Sequence, residues 1–276
     1  MKQQLTGMSL QEWRPTRDTL HQLARILGKL RGYAMPRSKH WWHITLQVTA
    51  RGLTTTPFPS NGHYLEMSLD LVAHSLVIES SDGWSVSMPL IGQSEAGLCR
   101  WIADNLSVAG AGLDAELLAA FDNEQRLIYD SAAIDHFRRT INWINGVFRG
   151  FKGGLREETG PVQIFPHHMD LSMNWFSGRL VPGVDPSDEE SADEQLNFGF
   201  VTGDDSIPDA YFYVTAYPAP DGWMNLRLPQ GAYWHTLGWT GAILPYAVVA
   251  ESDMPLELLL GYLQTLQKHG AELMAT

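Results

Sequence analysis

The sequence predicts an α+β protein of two layers, with helices packed on one face of antiparallel sheets, and three observations lead there. Several runs alternate strictly between apolar and polar residues, which is the pattern of a strand covered on one side. Other runs space their apolar residues by three and four, the pattern of a helix with one buried stripe. The order helix, strands, helix then occurs twice along the 276 residues, which suggests an internal duplication with halves at 1–112 and 113–276. The chain has the length for two such halves or for one continuous domain.

The elements follow in order. Thr16-Arg-Asp-Thr19 reads as a helix start, followed by Leu20, Leu23, Ala24, Leu27 and Leu30, with Gly32 and Pro36 ending it. From His40 to Arg51 the chain alternates, Trp42, Ile44, Leu46 and Val48 opposing His43, Thr45, Gln47, Thr49 and Arg51, so a strand is expected. Tyr64–Leu71, Leu76–Ser80 and Trp84–Met88 complete an antiparallel meander. Ser94 caps a helix that presents Leu98, Trp101, Ile102 and Leu106.

After a short helical piece at Ala115–Phe121, Asp130 caps a helix carrying Ile134, Phe137, Ile141, Ile144 and Phe148, broken at Gly150, Gly153 and Gly154. A strand follows with Met169, Leu171, Met173 and Trp175 on one face and His168, Asp170, Ser172 and Asn174 on the other. The acid-rich stretch Val184–Glu194 reads as a solvated loop. Gln195–Val201, Tyr211–Tyr217 and a weaker Tyr233–Trp239 are the remaining strands, and Asp253 opens a last helix that Gly270 closes.

Composition narrows the function. A formal charge of −12 argues against nucleic acid or an anionic membrane as partner, because either needs a clustered basic footprint. The single cysteine, Cys99, excludes an intrachain disulfide and any multi-cysteine metal site, and suits a reducing compartment. With no signal-like amino terminus and no apolar run near the roughly 20 residues that span a bilayer, a soluble cytoplasmic protein is expected. Ten Trp, ten Phe and nine Tyr supply core first, and exposed members would suit a protein interface, most simply a homodimer.

The motifs Trp13…Thr16-Arg-Asp-Thr-Leu20, His40-Trp-Trp-His43, Thr49-Ala-Arg-Gly-Leu-Thr54, Asp170-Leu171 with Phe176-Ser-Gly-Arg179, Ala216-Tyr-Pro218 and Leu244-Pro-Tyr246 carry a resemblance over nearly the whole chain. They resemble a bacterial family of uncharacterised proteins, domain of unknown function 5996. The resemblance implies a shared fold and a set of shared residues, and no reaction or cofactor. The chain departs from the family pattern at His167 and His168, where small residues are usual, and at Ala247, where an acid is usual. Both departures count against a metal site built on the histidine pair.

For chemistry, the two alternating strands place polar faces that would meet if the duplication builds a pseudo-twofold sheet. The expected site joins Trp41, Thr45, Gln47, Arg51, Asn174, Arg179 and Tyr213 as ligand-binding groups, with the arginines suited to a carboxylate or phosphate. His43 and Asp170 are the catalytic candidates, as general base and as its orienting or alternative base. A metal on His168 and Asp170 is the weaker alternative, since two residues apart on a strand share a face but a third ligand is missing. Binding of a polar small molecule is therefore the working function. An enzyme using the same surface, and an interaction protein with no pocket, are the competing readings.

Overall fold

The computed structural model describes residues 10–111 and 115–275. Its helices and two antiparallel six-stranded sheets bear out the α+β class. The described chain divides into two compact units, and each takes its residues from separate stretches of sequence.

The first unit comprises Trp13–Asn142 together with Ile164–Met169. Its leading helix, α1 (Leu10–Ala34), begins six residues before Thr16 and carries Pro15 inside it. Trp13 explains the extension, because its ring is buried and stacks on Phe137 at 5.8 Å. Leu20, Leu23, Leu27 and Leu30 are all buried, as their spacing requires.

Two short strands, β1 (Gln47–Val48) and β2 (Gly52–Thr54), lead into β3 (Phe58–Ser60) and the meander β4 (His63–Asp70), β5 (Ser75–Ser80) and β6 (Ser85–Pro89). The sheet runs β1-β2-β4-β5-β6, with β3 also paired to β4. Leu65, Met67 and Leu69 alternate with half-buried Glu66, Ser68 and Asp70. Helix α2 (Glu95–Val108) starts where expected, Ser94 Oγ accepting the Gly97 N–H at 3.0 Å. Asp130 likewise caps α3 (Ser131–Gly153), accepting from Ala132 N at 2.8 Å.

The second unit holds Trp143–Gln163 and Asp170–Thr276. The sheet here comprises β7 (Gln163–Phe165), of which only Gln163 falls within this unit, β8 (Asp170–Leu180), β9 (Asp193–Val201), β10 (Tyr211–Tyr217), β11 (Tyr233–His235) and β12 (Gly241–Pro245), in the order β11-β12-β10-β9-β8-β7. Helices α4 (Tyr246–Ala250) and α5 (Pro255–Met274) complete it. Phe200 and Phe212 lie 5.1 Å apart in an aromatic core with Phe148 and Tyr246, and the Tyr262 hydroxyl donates to Ala242 O at 2.8 Å.

Two expectations on this unit are corrected. Helix α5 runs through Gly270 instead of ending there, and the missing side chain serves packing: a Cβ would stand 2.7 Å from Leu196 Cδ1. β12 and α4 were not anticipated, because Gly-Ala-Ile-Leu-Pro is a continuous buried run with no alternation to read.

Candidate functional site

The largest correction concerns His40 to Arg51. Its first half is not a strand but a 3-10 turn, Lys39–Ile44, in which His40 (φ 53°, ψ 27°) and Trp41 (φ 58°, ψ 23°) are both left-handed. That region costs a residue with a Cβ on the order of 1–2 kcal/mol, and two such residues in succession need outside support. Alternating polarity within His40-Trp-Trp-His-Ile-Thr resembles a strand, and periodicity carries no information about the sign of φ.

The support is visible. Arg31, buried on α1, donates through one nitrogen, Nη1, to Trp42 O at 2.8 Å, to Thr45 O at 2.5 Å and to Thr45 Oγ1 at 3.1 Å. Thr45 Oγ1 in turn donates to Trp42 O at 2.8 Å. Arg37 lies over the Trp41 ring at 5.0 Å, and Trp41 stacks with His43 at 5.7 Å. Glycines let the turn approach: a Cβ at Gly28 would meet Pro166 Cγ at 2.5 Å and Ile44 O at 3.0 Å, and one at Gly32 would meet Ile44 Cγ2 at 2.8 Å.

Beside this turn opens a cleft of about 630 Å³, within the roughly 300–1,000 Å³ typical of small-molecule sites. Helix α1 contributes Gln22, Arg25, Lys29 and Tyr33 along one face; the turn contributes Trp41, His43 and Ile44. Glu95 comes from the first turn of α2, Phe121 from beyond it, and Pro166 and His167 from the loop after β7. Arg25 and Lys29 stand one helical turn apart and both are exposed. Arg25 Nη1 also donates to Gln22 Oε1 at 3.3 Å.

The histidines around the cleft have assignable protons. Ser38 N–H donates to His43 Nδ1 at 3.3 Å. A backbone N–H can only donate, so neutral His43 carries its own proton on Nε2. His21 Nε2 faces the His167 carbonyl at 3.0 Å, which can only accept, so neutral His21 is protonated there too. Burial, then the Arg17 charge, push the His21 pKa down. Glu95 is buried, and desolvation raises its carboxyl against a hydrogen bond from the Asn123 backbone and the charge of Arg25.

Of the ligand-binding residues expected in this unit, Trp41 and His43 line the cleft. Thr45 is fully buried in support of the turn, and Gln47 pairs with Thr54 on β1. Arg51 is committed to Asp70, with Nη2 at 2.6 Å and Nε at 2.7 Å from Oδ2.

The second unit gathers its own set on one face of its sheet. Tyr213 donates to Asp170 Oδ2 at 2.6 Å. Its ring crosses β9 over Gly199, where a Cβ would lie 2.2 Å from Tyr213 Cζ, and Ser172, Gly199 and Tyr213 are register partners across three strands. Burial and the Asp170 carboxylate hold the Tyr213 hydroxyl well above its usual pKa. Asn174 Nδ2 donates to Gln195 Oε1 at 2.6 Å, so the polar face expected to bind a ligand is buried, with Asn174 bonded within it. Arg179 pairs with Glu194 Oε2 at 3.1 Å on the β8–β9 hairpin, not with Asp170.

The face-sharing argument for a metal on His168 and Asp170 does not hold. β8 begins only at Asp170, and Met169 at φ 55° breaks the alternation before it. His168 is exposed where Asp170 is buried. Among the described residues, no group of three or more His, Cys, Asp or Glu is placed to hold a metal ion.

Gln22, Arg25, Lys29, Glu95, Phe121 and His167 were missed as site residues. The signal existed in part: Gln22, Arg25 and Lys29 fall on one helical face beside Gly28 and Gly32, an unusual pair of glycines inside a helix. Glu95 and Phe121 had none, since only folding brings them to α1.

Fold and cleft together define an α+β protein with a concave site of mixed charge and aromatic character. Within that class the chain belongs to DUF5996, a family of unknown function whose model matches residues 5–275. No curated protein and no solved structure matches it. Among the described residues, no helix is long and apolar enough to cross a membrane.

Proposed function

We propose that the chain binds a polar small molecule bearing a carboxylate or phosphate, and that this ligand occupies the cleft beside α1. The observation that carries the reading is the pair Arg25 and Lys29 on consecutive turns of one helix, facing a cleft of small-molecule size in a chain of charge −12. Arginine offers a planar fork and lysine a point charge, which together suit an anionic oxygen cluster. Gln22 and the Nε2–H of neutral His43 add uncharged donors.

The tautomer favours binding over catalysis. With Nδ1 occupied by the Ser38 N–H, His43 offers the cleft a donor, whereas a general base needs a free lone pair. Arg51 and Arg179, engaged in ion pairs of their own, do not take part in this reading.

Thermal shift against a panel of carboxylates and phosphates tests it. A ligand at about 100 times its Kd adds roughly 2.7 kcal/mol to stability. The double variant Arg25→Gln/Lys29→Gln, at exposed positions, is expected to lose the shift measured against its own ligand-free melting point. A shift retained in full by the double variant would refute the assignment.

A further inference from the structure

We infer that the ligand is a zwitterion, with an ammonium seated on Glu95 while its carboxylate meets Arg25 and Lys29. The inference rests on the anion-binding reading and narrows it. Glu95 lines the same cleft from a different element, and its side chain is buried. It is not spent as a helix cap, because Ser94 Oγ already accepts the Gly97 N–H. The Asn123 backbone N–H takes one of its lone-pair positions, and a carboxylate has about four.

An acid held in a partly desolvated cleft is costly without a cationic partner. Arg25 supplies some of that charge while its own side chain remains exposed. An ammonium is compact and carries three donors, which suits a buried carboxylate with lone-pair positions to fill. Two cations from α1 opposite one acid from α2 therefore match a small molecule with separated charges of both signs, of which amino acids are the simplest class.

Calorimetry on the full chain tests this with two matched series, glycine through 6-aminohexanoate and acetate through hexanoate. At least one amino acid is expected to bind about tenfold or more tighter than its amine-free counterpart, as a charge-assisted hydrogen bond implies. Glu95→Gln should bring that ratio to about one, and Glu95→Asp should preserve a preference. Equal affinities across the two series would overturn the inference and leave anion binding standing. A preference that survives Glu95→Gln would also overturn it, and no binding in either series would overturn it together with carboxylate binding in the cleft.

Discussion

Single residues decide the shape of the candidate site, Arg31 above all. One nitrogen of that side chain serves two carbonyls and a hydroxyl of the left-handed turn, and burial works against the charge it brings. Arg31→Met should destabilise the chain by about 2–4 kcal/mol, since it removes three hydrogen bonds from a charged donor at a buried site. Denaturant melts with unchanged m-value would establish this, and a loss under about 1 kcal/mol would mean the turn is held by other contacts.

Cys99 makes a second prediction at this scale. Burial, with the Glu95 charge adding to it, pushes the thiol up to about 12. At pH 8 an alkylating reagent should leave folded protein unlabelled and react only after denaturation. A raised folded pKa means stability is present below the ordinary thiol pKa and lost as pH rises toward 12, because the unfolded chain ionises first. Glu95 follows the same sign at acid pH: its contribution is present below the ordinary carboxylate pKa and fades as pH rises through the raised value.

At the scale of elements, α1 is organised by what its glycines lack. Alanine is favoured over glycine inside a helix by about 1 kcal/mol, yet Gly28→Ala would push a methyl to 2.5 Å from Pro166 Cγ. That substitution is expected to lower Tm, whereas Gly146→Ala in α3, with nothing within 4 Å of its Cβ, is expected to raise it. Parallel melts of the two variants check the sign of each. Equal stabilisation by both would mean that α1 does not seat the loop this closely.

Legibility in the sequence also sorts by element. The meander β4 to β6, the caps Ser94 and Asp130 and the apolar stripe of α3 were readable, because each has a local cause: strict alternation, a side-chain acceptor, a 3.6-residue period. The left-handed turn at His40 and Trp41 was not, since Arg31, remote in sequence, stabilises it. The polar row on β8 alternates as a strand should, yet its burial beneath Tyr213 depends on Gly199 and on register, which pairing alone fixes.

For the molecule as a whole, family membership supplies no chemistry, so the site must carry the functional argument by itself. Two polar clusters compete for that role, one in each unit. The sheet-face cluster is buried, with Tyr213 bonded to Asp170 and Asn174 to Gln195. The cleft beside α1 instead combines open volume with cations, a buried acid and histidines. Only Trp41 and His43 of its lining are legible in the sequence, because α1, α2 and the loop after β7 come together around them only on folding.

The most direct test is two-dimensional NMR of uniformly ¹⁵N-labelled protein, titrated with whichever carboxylate or phosphate gives the largest thermal shift. Binding in the cleft predicts that the ring resonances of His43 and His167 move, while those of His63, His74 and His235 stay in place. Movement of the Asn174 side-chain amide with His43 and His167 silent would put the ligand on the sheet face and contradict the account.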